Sequence, residues 1–484
     1  MHIVLVSTYE LGHQPFGLAS PQAWLLRAGH EVTPVDVSKT KLSDDLIRRA
    51  DAVAFSLPMH TATRLAIPVI ERVQRVNPAA RIACYGLYAP LNAELLKSLG
   101  VEATIGGEFE DALVSWAEST WNPDSTSPCE NLALTAPAGR GSVDLDESSR
   151  LETEPRLLRS GPIRLFTQTR NGGDVPKLTF IKPNRGGLTA SYAQLRTAAG
   201  SKIVAYTEAS RGCKHLCRHC PIVPVYQGQF RIVQRDVILA DIRQQIAQGA
   251  SHVTFGDPDF LNGPTHAMRV IETLHAEFPR VTYDATIKIE HLLKHHDLLR
   301  PLRDSGCLFV TTAVESLDDA VLAKLEKNHT RRDFFEAVAL AHDAQLALQP
   351  TFLAFTPWTT LDTYRDLLRV LRDLDLVESV PSVQLALRLL ITSNSRLLEL
   401  DDIRSVTGPF DKKSLVYPWT HPDARVDALG ARIFRLVDQL QKHGLNRTEI
   451  FAAIWNEAGD DPLPKNFHLM PRAVVPYLDE PWYC

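Results

Sequence analysis

The chain has 484 residues, 44% hydrophobic and 23% charged, with 52 Lys and Arg against 57 Asp and Glu for a formal charge of -5. That balance excludes a disordered or fibrous chain and offers no basic field for nucleic acid or an anionic membrane; at roughly 100 to 200 residues per domain the length predicts about three domains. Met1 to Ser7 lacks the cationic segment of a secretion signal, and no apolar run approaches the roughly 18 residues of a membrane span, so a cytoplasmic protein is expected. The seven cysteines, odd in number and sparse, argue against a disulfide framework.

Across residues 1–120 short β-branched runs alternate with helical segments, the pattern of an α/β Rossmann-like domain with a parallel sheet. Strands are expected at Ile3 to Val6, Val32 to Val37, Ala52 to Ser56, Arg81 to Tyr85 and Ala103 to Ile105. Helix starts are expected at Ser20-Pro21, read as an N-cap followed by Pro, and at Ser43-Asp44-Asp45. Open α/β sheets bind ligands beyond the carboxyl ends of their strands, which places Gly86 and the turn Gly106-Gly107-Glu108 at a candidate ligand site. The competing reading is that these glycines only make tight turns. Residues 121–162, rich in Pro, Ser and Thr and without a sustained period, read as an interdomain linker with Cys129 as an incidental thiol.

Residues 163–394 form the next unit. Strands are expected at Ile203 to Thr207, His252 to Phe255, Val281 to Ala285, Leu308 to Ala313, Leu348 to Phe355 and Val383 to Leu387, separated by amphipathic helices such as Asp236 to Gln248 and Asp362 to Leu374. Six β/α units in one curved sheet make a partial (β/α)6 barrel of the TIM type, whose functional groups gather at the carboxyl ends of the strands. Residues 395–484 read as a helical C-terminal region, clearest at Val426 to His443 and Thr448 to Glu457, followed by a Pro-punctuated tail.

Directly after the first barrel strand comes Ser210-Arg-Gly-Cys213-Lys-His-Leu-Cys217-Arg-His-Cys220-Pro221, a C-x3-C-x2-C spacing. Three thiolates on one loop can hold three irons of a four-iron, four-sulfur cluster, whereas a purely electron-carrying cluster normally takes four Cys. The open iron can bind the amino and carboxylate groups of S-adenosylmethionine (SAM) and deliver an electron to its sulfonium. The competing readings are a zinc site completed by His215 or His219, or three buried thiols; no second C-x2-C supports the zinc site. Cys84 and Cys307 read as small buried hydrophobes.

These residues resemble radical SAM enzymes, and among them those with an N-terminal cobalamin-binding-like domain. The resemblance implies that Gly256-Asp257-Pro258-Asp259, at the end of the second barrel strand, receives the SAM amino group through Asp257 or Asp259, although Asp there can equally cap a helix. It implies that Lys288 reaches the ribose or carboxylate of SAM, against the alternative of a snorkelling rim Lys. Glu315-Ser316 matches the Glu-Ser pair that faces SAM, and His219 stands where an aromatic residue usually lies near adenine. No D-x-H-x-x-G motif is present in the first domain, where Tyr9-Glu10-Leu11-Gly12-His13 follows the first strand, so cobalamin bound there would lack a His ligand.

More narrowly, Cys220-Pro-Ile-Val-Pro-Val-Tyr226, Gly256-Asp-Pro-Asp-Phe-Leu-Asn262, Lys324-Leu-Glu-Lys-Asn-His-Thr330 and Phe355-Thr-Pro-Trp-Thr-Thr360 look like the CUAEP/CCAEP-tail radical SAM proteins. Cys484 coincides with the first residue of that tail, which makes it a candidate redox residue and implies continuation through selenocysteine; the alternative is an ordinary terminal thiol.

The expectation is an enzyme that uses a 4Fe-4S cluster to cleave SAM reductively and abstract hydrogen from a small-molecule or peptide substrate, with a low-potential electron donor and with cobalamin as a candidate further cofactor. Methyl transfer through cobalamin is one continuation. A cobalamin-free cyclisation or oxidation is another, and a non-catalytic iron-sulfur or zinc protein is the rival from a different class. Trp358 and Arg388 are candidate substrate contacts, with packing roles as the alternative.

Overall fold

The computed structural model describes residues 1–119, 178–189, 192–197 and 200–459, and the backbone of residues 477–478. The expected linker with Cys129, and Cys484, lie outside these residues. A first sheet contains β1 (His2–Ser7), β2 (Glu31–Asp36), β3 (Ala52–Ser56), β4 (Arg81–Tyr85) and β5 (Ala103–Ile105), all parallel, in the order β2-β1-β3-β4-β5. Alternate residues face opposite sides and both sides are covered: Val4, Val6, Val53 and Phe55 enter one core, Ile3, Leu5, Ala52 and Ala54 the other. This explains why the strands read as continuous apolar runs. The strand order reverses between β1 and β3, the switch point at which such sheets open a crevice.

The first helix, Phe16–Arg27, begins earlier than Ser20-Pro21 suggests. Ser20 lies within it and donates its hydroxyl to Glu110 at 2.6 Å instead of capping. Pro21 is tolerated because the Gly17 carbonyl, which its missing N–H would have served, accepts a hydrogen bond from the Tyr85 hydroxyl at 2.7 Å. Ser43 does cap its helix, accepting from Leu46 N–H.

The second sheet is built from β6 (Gln194–Thr197) and β7 (Gly200–Thr207), joined further along the chain, after the hairpin β8 (Ser210–Gly212) and β9 (Phe230–Ile232), by β10 (His252–Phe255), β11 (Thr282–Thr286), β12 (Cys307–Glu315), β13 (Ala347–Phe352) and β14 (Tyr477–Leu478). Its order is β13-β12-β11-β10-β7-β6-β14, with β7 and β10 to β13 parallel and the β6 and β14 edge antiparallel. The sixth unit differs from the expected strand: Ser382–Leu385 is a 3-10 turn, and a single parallel bridge from Phe355 to Arg388 marks its place. Pro381 starts that turn, and the Gln384 side chain, not a strand, accepts from the edge N–H of Phe352 at 3.2 Å. Beyond the barrel, helices Ala424–Lys442 and Arg447–Glu457 send Leu429, Ile433, Ile450 and Trp455 into the barrel core, so they extend it. No helix among the described residues is long and apolar enough to cross a membrane.

Candidate active site

β8 carries the chain into the cysteine loop, and Asp257 holds its start. One carboxylate oxygen accepts from Ala209 N–H at 2.9 Å and the other from the Ser210 hydroxyl at 2.5 Å. Burial pushes this carboxyl up to about 7, against those hydrogen bonds. Both Asp257 oxygens are thus engaged with the loop, while the residue also lines the central cavity. Cys213 and Cys217 are buried and Cys220 is half-buried, and all three are free thiols. Burial pushes Cys220 up to about 12, and the neighbouring Cys217 and Cys213 push the same way. Three clustered thiols, two buried and one half-buried, whose thiolates would repel one another, gain most by deprotonating onto a metal, which fits a cluster with three protein ligands. Backbone N–H groups of His215 and Ile222 face the sulfurs of Cys213 and Cys220.

Lys288 is buried at the start of helix Ile289–Lys294, with Nζ 3.9 Å from Cys217 Sγ. Glu315 ends β12 at a register shift between Ala313 and Glu315 and takes a left-handed φ of 69°, an uncommon conformation for a side-chain-bearing residue. The irregularity aims its carboxylate at His219 Nε2, 3.1 Å away, and at Lys327 Nζ, 3.4 Å away. Burial would raise this carboxyl, but Lys327 and then His219 outweigh it and bring it down to about 2. Glu315, His219 and the cysteine loop therefore come together, with His219 bound through Nε2 to Glu315. Lys327 was missed in the sequence, where nothing separates a buried Lys in a charged run from a solvated one. Asp259 faces elsewhere, toward His215 and His291. Burial pushes it up, yet those imidazoles hold it below its ordinary value.

Between the carboxyl ends of the two sheets lies a cavity of about 470 Å³. The first sheet contributes Glu10, Leu11 and His13 after β1, Pro58 and Met59 after β3, Gly86 after β4, and Gly107 after β5. The barrel contributes Tyr206, Gly256, Asp257, Asp284, Thr311 and Gln349 among others. Gly86 has φ 102° and its missing Cβ would stand 3.1 Å from the Leu57 carbonyl oxygen, so a side chain there would be strained as well as crowded. At Gly256 a Cβ would meet the Tyr206 hydroxyl oxygen at 2.0 Å, which explains glycine in this motif independently of any ligand. Of the expected first-domain residues, Gly86 and Gly107 line the cavity, whereas Gly106 packs on Pro90. Glu108 is buried between Arg211, at 3.3 Å, and the Tyr226 hydroxyl, at 3.4 Å. Burial pushes Glu10 up to about 8, with Glu208 and Asp36 adding to it and the Gly17 N–H opposing. Burial thus favours the neutral form of this cavity-lining carboxyl. The switch-point crevice, lined by Gly86 and Gly107, is where a cofactor laid against the first sheet would sit.

The walls are fastened across the two units. Arg211 donates to Glu110 and Glu108 of the first and to Glu208 of its own. Arg185 donates to Gln14 at 2.9 Å, to the Tyr206 carbonyl at 2.6 Å and to both Asp241 oxygens. Trp358 and Arg388 take packing roles: Trp358 donates to Asp402, and Arg388 donates to Asp427 and lies over the Trp419 ring.

Residues 207–374 match the Radical SAM superfamily, so this stretch is a radical SAM domain. The chain is 25% identical over 352 residues to the hopanoid C-3 methylase of Methylococcus capsulatus, covering 71% of this chain and 62% of that one. It is 24% identical over 184 residues to the ribosomal protein uS12 methylthiotransferase RimO of Parabacteroides distasonis, covering 35% and 41%. The chain thus spans less than two thirds of the length of either curated relative. Among solved structures it resembles OxsB, a cobalamin-dependent S-adenosylmethionine radical enzyme solved with aqua-cobalamin and S-adenosylmethionine, with a TM-score of 0.64 at 12% identity over 95% of this chain and 71% of that one. It also resembles the radical S-adenosylmethionine methyltransferase TsrM from Kitasatospora setae, solved with cobalamin and a [4Fe-4S] cluster, with a TM-score of 0.53 at 14% identity over 77% and 70%. The fold is that of cobalamin-dependent radical SAM enzymes; the narrower CUAEP/CCAEP-tail grouping has no support among these matches.

Proposed function

We propose that this enzyme cleaves SAM reductively at a cluster held by Cys213, Cys217 and Cys220, and transfers a methyl group to a small-molecule or peptide substrate with the help of cobalamin held between the two sheets. The observation that carries the reading is the cavity itself, walled on one side by the β1/β3 switch point and on the other by the strand ends of the barrel. When bound, the cluster supplies the electron that splits SAM, drawn from a low-potential donor, and cobalamin supplies a carrier for the methyl group. The residues of this chain bind and orient. Glu315, kept ionised by Lys327 and His219, offers SAM a fixed negative group, and Lys288 offers a positive one beside Cys217. Gly86 and Gly107 line the face of the first sheet that a planar ligand would meet, and burial favours the neutral form of the Glu10 carboxyl there. Asp284 faces the cavity from β11, with one oxygen taken by His252 and Thr254.

The test is anaerobic turnover of reconstituted protein with reductant and SAM, with and without cobalamin, followed by mass spectrometry. 5'-Deoxyadenosine together with cobalamin-dependent S-adenosylhomocysteine is expected. 5'-Deoxyadenosine unaffected by cobalamin would favour cyclisation or oxidation, and no SAM cleavage would leave an iron-sulfur protein without this chemistry.

A further inference from the structure

The inner face of a TIM-type barrel is ordinarily packed with branched apolar side chains. Here it is polar where it meets the cavity: Thr254 on β10, Asp284 on β11, Thr311 on β12, and Gln349 and Thr351 on β13 all line it. Thr254 and Asp284 are register partners on adjacent strands, so their side chains share that face. Behind them a chain of hydrogen bonds runs up from the amino ends of the strands. Half-buried Lys202 on β7 donates from Nζ to Thr282 Oγ1 at 2.9 Å, Thr282 Oγ1 is 2.8 Å from His252 Nδ1, and His252 Nε2 is 2.8 Å from Asp284 Oδ2. An ammonium can only donate, and this sets the direction of the rest. The Thr282 hydroxyl has one hydrogen, and His252 Nδ1 at 2.8 Å takes it in preference to the Ser251 carbonyl at 3.5 Å. His252, itself fully buried, therefore accepts at Nδ1 and carries its proton on Nε2, from which it donates to Asp284. Thr254 donates its hydroxyl to the same oxygen at 2.6 Å.

Both donors thus meet Asp284 at Oδ2, and among the described residues Oδ1 accepts from none. Asp284 is buried, and its one ion-pair contact among the described residues is with His252, which in this tautomer carries no charge. Of the cations that line the cavity, Arg211 is held by Glu108, Glu110 and Glu208, and Arg447 donates to the Glu378 carbonyl. A buried carboxylate ordinarily has a cationic partner. The chain supplies none to Asp284, and the cavity is the side from which one can come. We propose that the substrate carries a protonated amine and that Asp284 Oδ1 receives it, an inference that rests on the reading of this cavity as the substrate site. His252, Thr282 and Lys202 are positioning residues that fix the carboxylate from behind, with the Lys202 charge kept three hydrogen bonds away. An ammonium has three hydrogens to donate, and the Thr311 and Thr351 hydroxyls in the same cavity are acceptors for the other two.

The experiment measures, by anaerobic equilibrium dialysis of reconstituted holoprotein with SAM at neutral pH, the binding of matched probes: butylamine, hexylamine and 2-phenylethylamine against butanol, hexanol and 2-phenylethanol. Wild type is expected to bind amines about tenfold or more tightly than the alcohols of the same skeleton, the scale of a charge-assisted hydrogen bond. Asp284→Asn, which keeps the shape and removes the charge, should bind amine and alcohol alike. Amines bound no better than alcohols by wild type, or not bound at all, would overturn the proposal, as would a preference that survives in folded, cluster-loaded Asp284→Asn. Because the comparison of amine with alcohol needs wild type alone, the proposal can fail even where the variant does not fold. SAM cleavage is followed in the same preparation without probes: no amine preference with cleavage intact strikes this inference alone, whereas an amine preference without cleavage strikes the proposed reaction and leaves the amine site standing.

Discussion

Arg211 and Glu110 form a two-pronged ion pair across the two sheets, with Nη1 and Nη2 at 2.9 and 2.7 Å from the two carboxylate oxygens and side-chain exposures of 6% and 0%. Arg211 also pairs with Glu108 and Glu208, so in this cluster of one cation and three carboxylates the two partners are not equivalent. Arg211→Met strands buried carboxylates and should cost about 3 to 5 kcal/mol, while Glu110→Gln leaves the guanidinium two other partners and should cost less. Urea unfolding of both variants measures this. Equal losses would show that the pair acts alone and that the other carboxylates are bystanders.

Cys217→Ala should abolish loading of iron and sulfide, because no other described cysteine is near enough to replace it: Cys84 is buried on β4 and Cys307 on β12. Cys84→Ala should load normally. Metal and sulfide analysis after anaerobic reconstitution separates the two, and a loaded Cys217→Ala would remove Cys217 from the site.

The cysteine spacing was legible in the sequence because ligation by one loop is a local pattern. The parallel strands were legible for a related reason: runs such as Ile3 to Val6 are apolar on both faces, and only a strand covered on both sides needs that. Helix Phe16–Arg27 was misplaced because Pro21 gains its tolerance from Tyr85, a residue distant in sequence. The sixth strand was over-read because its apolar residues serve a turn whose Gln384 satisfies the β13 edge. The Lys327 contact to Glu315 depends on the irregularity at the end of β12, and the Arg211 cluster joins residues about 100 positions apart. Neither leaves a periodic signal.

Glu315→Gln should weaken SAM binding about tenfold or more, since a charge-assisted hydrogen bond is worth on the order of 1.5 to 3 kcal/mol. Lys327→Met should weaken it too, through loss of the cation that keeps Glu315 ionised. Equilibrium binding of SAM to reconstituted protein is the measurement. Unchanged affinity in Glu315→Gln would place this carboxylate outside the SAM contacts.

Glu10 sets a pH dependence. Its folded value of about 8 lies above the ordinary 4.5, so between those values the native state holds a proton that the unfolded chain has released. Its contribution to stability is then full below about pH 4.5 and is lost as pH rises through about 8. Glu10→Gln, which fixes the neutral form, should flatten the decline in unfolding free energy across that window. Parallel curves for wild type and variant would show that Glu10 is ionised in the fold.

The cavity belongs to neither sheet alone, and this makes the molecule modular in an unusual sense. Replacing residues 1–119 with the corresponding part of another such enzyme would exchange one wall and leave the cysteine loop and Glu315 in place. The graft must bring counterparts of Gln14 and Glu110 to meet Arg185 and Arg211, because these two arginines fasten the halves together. The wall formed by the first sheet can then change in sequence while the cysteine loop and Glu315 of the other half keep their geometry.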